Sequence, residues 1–317
     1  MDNKDTLLVS IRCTTYNQEK YIGKCLDGIV NQVTNFRFEA IVHDDASTDN
    51  TAGIIRQYAE KYPNIIIPII ETENQYSKKD GSLYRIMDQA CTGKYIATCE
   101  GDDFWVDPYK LQKQVDYMEA HPECNLVHTR FNYVDLKGNI IPTPDVQLYQ
   151  DIEKNDEEKT GYIWHYHLVK STTILFCTCL FRRSSLSGEK ILIDYGWFMS
   201  SARKGMVHFI DEITSCYRIN PAGEMRTNQP TVLNKIKNNI FIQLYYFCNP
   251  QYETLSFYRK NISSRVLVAE GVLSCLFSFN RITEDDKYYK LCYILFRKPL
   301  NIVFLPIAFF KKILRRL

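Results

Sequence analysis

Tyr95-Ile96-Ala97-Thr98-Cys99-Glu100-Gly101-Asp102-Asp103-Phe104-Trp105 is the stretch whose reading decides the fold. A short apolar run breaks off into clustered carboxylates, and a helical pattern follows. The same grammar occurs upstream, where Phe38-Glu39-Ala40-Ile41-Val42-His43 ends at Asp44-Asp45. Short β-prone runs alternating with helical patterns signal parallel strands, whose carboxyl ends form the ligand edge of an open α/β sheet. Two strand ends carrying carboxylates can hold a hard divalent cation through oxygen ligands. Such a cation keeps waters and binds substrate phosphates, so the expected ligand is a nucleoside diphosphate carrying a leaving group. Acidic residues are also common in turns. The coincidence of two clusters at matching strand ends is what favours a site.

Working outward, Leu7–Cys13 reads as a first buried strand. Thr14–Asn17 then forms a turn in which Thr15 or Asn17 can cap a helix. In that helix Tyr21, Ile22, Cys25, Leu26, Ile29 and Val30 recur at helical spacing. After the Asp44-Asp45 strand, Ser47, Thr48 and Asp49 offer caps for a helix carrying Ile54, Ile55 and Tyr58. Ile65–Ile70 is a third strand, and Pro68, which cannot donate to a ladder, suits an edge. A polar loop, Glu71–Asp80, leads to a helix around Leu83–Ala90, and Trp105–Pro108 opens another through Ala120. This is a half-Rossmann alternation. It has no G-x-G-x-x-G at the first turn, which argues against a dinucleotide dehydrogenase. Beyond it, Leu126–Val134 and Thr172–Phe181 read as strands, Ile191–Lys204 as a helix behind Asp194, and Val207–Ile219 as one or two short strands. Asp151–Lys159 reads as a solvated charge run. From Pro221 helical runs take over, notably Val232–Phe247 and Tyr252–Phe277.

Composition bounds the rest. A net charge of +2 over 317 residues excludes strong global attraction to nucleic acid. The eleven cysteines form no C-x-x-C pair and no zinc-like spacing, and Cys177-Thr178-Cys179 is their nearest approach. They read as buried thiols in a reducing compartment. The opening residues are polar with no apolar h-region behind them, and no run reaches the roughly 18–20 apolar residues that span a bilayer. A cytoplasmic protein is expected. Residues 287–317 carry eight basic and no acidic side chains. On a helix, Phe310, Ile313, Leu314 and Leu317 share one side, and Lys311, Lys312, Arg315 and Arg316 the other. That composition fits an interfacial anchor at the inner face of the cell membrane, or a terminal helix docked on the body.

Three stretches together resemble the inverting glycosyltransferases of family 2, with a GT-A fold. They are Cys13–Ile22, His43–Thr51 and Gly93–Trp105, in that order over roughly the first 120 residues. The resemblance continues more faintly through Thr178–Arg183 and Ile193–Trp197, and fades after Tyr217-Arg218-Ile219-Asn220. It implies an α/β protein of mostly parallel sheet flanked by helices, with a helical C-terminal extension. Residues 1–220 would form the transferase domain (1–120 the nucleotide-binding half, 121–220 the acceptor half), and 221–317 the helical region with its basic tail.

The resemblance also assigns residues. Thr14 and Tyr16 would line the nucleobase pocket. Asp44 or Asp45 would accept from the uracil N3–H and help hold the ribose. Glu100-Gly101-Asp102 occupies the place of the family's Asp-x-Asp motif. Asp102 would be the direct ligand to Mn²⁺ or Mg²⁺, with Glu100 and Asp103 on the donor. Glu100 replaces the commoner Asp, and its longer arm reaches the ribose, a metal-bound water or neither. Asp194 stands where the family places its general base, or else acts only as a helix cap. Arg182 and Arg183 offer either phosphate contacts or a solvated strand end. Asn220 stands where the family often has a histidine.

Such a protein is an inverting glycosyltransferase, of hexosyl- or N-acetylhexosaminyl-transferase type. It takes a nucleotide sugar, UDP-linked by expectation, and a glycan or lipid-linked acceptor in surface polysaccharide assembly, with peripheral membrane contact. The rival readings are a catalytically silent nucleotide-sugar-binding partner subunit and a nucleotidyltransferase of related fold. Retention of Glu100, Asp102 and Asp194 stands against the first, and the lack of a Gly-rich triphosphate loop against the second.

Overall fold

Parallel strands buried on both faces lie at the centre of the fold. The computed structural model describes residues 7–142, 174–186, 197–198, 200–201 and 204–220. All belong to one compact unit made of residues 1–161 and 173–223. Asp194, the Asp151–Lys159 run and everything expected of 221–317 lie outside the described residues.

Strand β1 is Leu7–Thr15, β2 Arg37–Asp44, β3 Ile66–Ile70, β4 Tyr95–Thr98 and β5 Phe104–Trp105. Strand β6 is Cys124–Val134, β7 Ile140–Ile141, β8 Leu180–Arg182 and β9 Met206–Arg218. Helices α1 (Ile22–Val30), α2 (Thr51–Lys61), α3 (Ser82–Ala90) and α4 (Lys110–Ala120) alternate with the early strands. Among the described residues the sheet order is β3-β2-β1-β4-β8-β6-β9-β5, with β7 beside β6. Strands β1 to β4 pair in parallel, β8 runs antiparallel to both β4 and β6, and β9 is parallel to β6. The carboxyl ends of β1, β2, β4, β6 and β9 therefore share one edge.

The helices form where the sequence places one apolar stripe. Ile22, Cys25, Leu26 and Ile29 of α1 are fully buried, and each large aliphatic among them contributes roughly 1.5–3 kcal/mol by leaving water. Gly28 lets α1 press on β5: a Cβ there would meet the Trp105 carbonyl oxygen at 2.8 Å. Val9, Ile11 and Cys13 alternate into the core of β1, while Ser10 and Arg12 on the opposite face are covered too. Pro68 sits on β3, opposite Val42 at the end of the described sheet, where a missing N–H costs no ladder bond.

Several local expectations are corrected. Thr15 belongs to β1, and neither it nor Asn17 caps α1, which opens behind Tyr21 without a side-chain cap. Asn17 instead adopts a left-handed φ of 52° and accepts from the Thr48 amide at 2.8 Å. Ser47 and Thr48 thus join the loop after β1, and Asp49 accepts from the Thr51 amide at the front of α2. Phe104-Trp105 is a strand, so α4 starts only at Lys110. The strand expected over Thr172–Phe181 is interrupted: Phe176–Thr178 is a 3-10 turn, and among the described residues of that stretch pairing begins at Leu180, in β8. Val207–Ile219 is a single long strand with register shifts near Arg130. The eight cysteines of the described residues are free and buried, as expected of thiols used for packing.

Candidate active site

The end of β1 lies between the two acidic turns, because β1 pairs with β2 on one side and β4 on the other. Thr15 is in register with Asp44, and Arg12 with Thr98. Backbone bonds lock the turns to β1: Asp45 N–H donates to the Thr15 carbonyl and Gly101 N–H to the Thr14 carbonyl, both at 3.0 Å. Thr14 is half-buried there, and Tyr16 projects outward, 48% exposed. An exposed aromatic at such an edge offers a stacking face.

The carboxylates do different things. Asp45 is buried, and its two oxygens accept from the amides of Gln75 (2.7 Å) and Tyr76 (3.0 Å), fastening the 71–80 loop over this edge. Asp44 is also buried. Its Oδ2 accepts from the Ser47 amide at 3.1 Å, whereas its Oδ1 has no hydrogen-bond partner among the described residues. The tight turn this bond closes puts Ala46 at a left-handed φ of 61°, which costs a non-glycine residue on the order of 1 kcal/mol. Behind the turn, His43 lies 3.4 Å from a Glu71 carboxylate oxygen. Burial lowers its pKa, against the pull of Asp45 and Glu71.

In the second turn Asp103 is buried and accepts the Arg218 amide at 2.9 Å. Burial first, and the neighbouring Asp102 charge second, push its pKa well up. Asp102 and Glu100 are half-buried. Burial raises the Asp102 carboxyl, opposed by its own amide, the Arg218 charge and a Gln18 hydrogen bond. The turn is tight, since a Cβ on Gly101 would meet Gln18 Oε1 at 2.5 Å and Thr15 Oγ1 at 2.7 Å. Among the described residues no three His, Cys, Asp or Glu side chains converge as a metal cage.

The structure thus gathers Thr14, Tyr16, Asp44, Asp45, Glu100, Asp102 and Asp103 on one edge, while Asp194 lies outside the described residues. Arg182 is not at this edge. It pairs with Tyr95 at the opposite end of β4 and donates to the Cys124 and Met118 carbonyls. The sequence reading missed Gln18 and Arg218, which bind the second turn from distant segments, and the loop residues Gln75 and Tyr76. For Arg218 the signal was its place at the end of the Tyr217–Asn220 segment.

An open α/β sheet with acidic turns at its carboxyl edge places these residues where sheets of this class bind ligands. Residues 10–188, more than half of the chain, match the family described as Glycosyl transferase family 2. The chain belongs to that family and has the GT-A fold. A Mycobacterium tuberculosis (strain H37Rv) protein is 46% identical over 118 residues, covering 37% of this chain and 33% of that protein. The chain therefore spans about a third of the length of such relatives. Escherichia coli chondroitin synthase is 31% identical over 171 residues, covering 54% of this chain and 21% of the synthase. S. aureus TarS residues 1–349, solved with UDP-GlcNAc, superposes with a TM-score of 0.55 at 17% identity, covering 85% of this chain and 81% of that one. The mannosyltransferase PcManGT from Pyrobaculum calidifontis, solved with GDP-Man and Mn²⁺, also scores 0.55 at 14% identity, covering 97% and 85%. No helix of the described residues is long and apolar enough to cross a membrane.

Proposed function

We propose that the chain is an inverting, metal-dependent glycosyltransferase that moves a sugar from a UDP-sugar to a hydroxyl of a glycan or lipid-linked acceptor in surface polysaccharide assembly. The observation that carries this is the single edge on which Asp44 and Asp102 flank the end of β1. The fold itself accommodates either UDP- or GDP-linked donors, as its solved neighbours do. Asp44 favours uracil. It has one oxygen to spare, which matches the single imide N–H of uracil better than the paired donors of guanine. Tyr16 would stack on the base and Thr14 line its pocket, with Glu100 toward the ribose.

Asp102 fits a Mn²⁺ or Mg²⁺ ion. Burial disfavours its charged form, and a cation would offset that cost. The lack of a three-residue cage is in keeping with ions held by one or two carboxylates together with substrate phosphates. When bound, the ion would supply positive charge for the departing diphosphate. Asp45 and Asp103 hold the loop and turn that carry this chemistry. Asp194 would take the proton of the acceptor hydroxyl as its oxygen bonds to the anomeric carbon and the bond to the diphosphate breaks. Residues 1–120 would then hold the donor and 121–220 the acceptor, and the basic residues after 287 would bring the enzyme to the inner membrane face.

A panel of nucleotide sugars, incubated with and without Mn²⁺, tests this reading through release of free nucleotide. Release from a UDP-sugar only with metal supports it. Release that survives chelation, or no binding of UDP at all, overturns it.

A further inference from the structure

We infer that Arg218 is the positioning residue of the acidic turn, holding Asp102 in the orientation that receives the metal-bound diphosphate. This rests on the reading of Asp102 given above.

Arg218 ends β9 on the ligand edge and is only 4% exposed. Its Nε donates to the Asp102 carbonyl at 2.9 Å, and its backbone amide donates to Asp103 Oδ1, also at 2.9 Å. Its Nη1 donates to the carbonyls of Asp135 (2.9 Å) and Leu136 (3.1 Å), in the turn that joins β6 to β7. The guanidinium carbon lies 4.6 Å from the Tyr21 ring centre and 5.5 Å from that of Phe104. One side chain thus joins the acidic turn, the β6–β7 turn and the start of α1.

The geometry is specific to arginine. A planar fork can serve two separate carbonyl groups while its face stays on an aromatic ring, whereas an ammonium is a point donor on a flexible stem. The guanidinium does not neutralise Asp102 by a side-chain ion pair: the bond it makes goes to the peptide oxygen. That bond holds the oxygen end of the peptide after Asp102, as the Asp103 N–H on the Glu100 carbonyl holds its other end, and the two together set the direction in which the Asp102 carboxylate projects. The turn's remaining backbone anchors, Gly101 to Thr14 and Asp103 to Glu100, do not hold that oxygen. Without Arg218 the peptide joining Asp102 to Asp103 keeps only its N–H bond to the Glu100 carbonyl and loses the bond on its oxygen, while both carboxylates remain present. The role is therefore orientation.

The test is calorimetric binding of UDP to the full chain, with and without Mn²⁺, for the parent, Arg218→Lys, Arg218→Gln and Asp102→Asn. Loss of a group that orients a metal-binding carboxylate costs about 10–100-fold in metal affinity. Arg218→Gln should thus weaken UDP binding in Mn²⁺ by about 10²-fold, and Arg218→Lys by about 10-fold, since it retains the charge but not the fork. Metal-free UDP affinity should stay within about threefold in both, because the base pocket is untouched. Thermal melting is measured alongside. If Arg218→Gln does not fold, Arg218→Lys decides alone. Unchanged affinity in Mn²⁺, or equal losses with and without metal, overturns the inference. If the parent itself shows no metal effect, Asp102→Asn will also be silent; the metal reading then fails and this inference falls with it.

Discussion

Gly101→Ala changes the acidic turn without touching a charge, and so separates geometry from electrostatics. A Cβ at this position would lie 2.8 Å from Thr15 Cβ, besides its contact with Gln18 Oε1. Gln18 can swing its amide aside. Thr15 cannot move, since it ends β1 in register with Asp44. Carbon atoms rest at roughly 3.5–4.0 Å, so the turn must retreat by roughly 1 Å. Such over-packing costs about 1–3 kcal/mol in stability. A retreat of about 1 Å at a positioned carboxylate costs on the order of 10²-fold in rate. The assay is transfer from the UDP-sugar that the panel identifies, with melting followed in parallel. The expected result is a folded protein whose kcat/KM falls by about 10²-fold, unrestored when Gln18→Ala is added. A folded Gly101→Ala variant at the parental rate would refute the argument. Recovery in the double variant would show that Gln18, not the strand, was the obstacle.

Asp102→Asn should abolish metal-dependent UDP binding and leave metal-free binding nearly unchanged, whereas Asp194→Asn should lower transfer by about 10²–10⁴-fold with UDP affinity intact. Equal effects of the two on UDP affinity, read by calorimetry, would break this division of roles. Asp44→Asn should weaken UDP by about tenfold, a single hydrogen bond to a charged acceptor. Asp45→Ala should chiefly release the 71–80 loop, seen as faster amide exchange at Gln75 and Tyr76; slow exchange there would contradict it. His128 is buried, and its pKa falls to about 3 from 6.5. The unfolded chain therefore binds a proton below pH 6.5 that the folded one does not, and stability drops by about 1.4 kcal/mol per pH unit as pH falls toward 3. Denaturant unfolding between pH 5 and 7, on the order of physiological values, should show a shallower slope in His128→Leu, and an unchanged slope would remove His128 as the cause.

The parallel half of the fold was legible because each strand there ends in a change of chemistry. Ile96-Ala97-Thr98 runs into Glu100-Gly101-Asp102, and Ile41-Val42 runs into Asp44-Asp45. The antiparallel half gave weaker signals. Ile174–Phe181 is largely apolar and mostly buried, and such a run cannot be assigned by periodicity. What turns it at Phe176–Thr178 is a Thr98 hydroxyl bonded to the Phe176 carbonyl, together with Thr178 Oγ1 on the Leu175 carbonyl. In β9, Asp211-Glu212 looks like a break between two strands. The structure accommodates the pair at a register shift between Ile210 and Ile213, leaving both acids exposed. Gln18 and Arg218 were missed for a simpler reason. Arg218 bonds backbone carbonyls of distant segments, which leave no mark on the partner's sequence, and Gln18 meets the Asp102 side chain from far along the chain, where no local pattern joins the two.

The two acidic doublets follow one physical rule. In each doublet one carboxylate is taken up by backbone amides of another segment. A buried carboxylate must find donors. Asp45 finds the Gln75 and Tyr76 amides, and Asp103 finds the Arg218 amide. In doing so each ties a neighbouring segment to the site. Their neighbours, Asp44 and Asp102, are left with incomplete satisfaction: among the described residues one oxygen of Asp44 lacks a partner, and burial raises the Asp102 carboxyl. A ligand bringing an N–H to the first and positive charge to the second would satisfy both. The spacing between the two points is set by β1, which lies between β2 and β4. Under the proposed function, recognition of the base and of the diphosphate end would both follow from this one strand order.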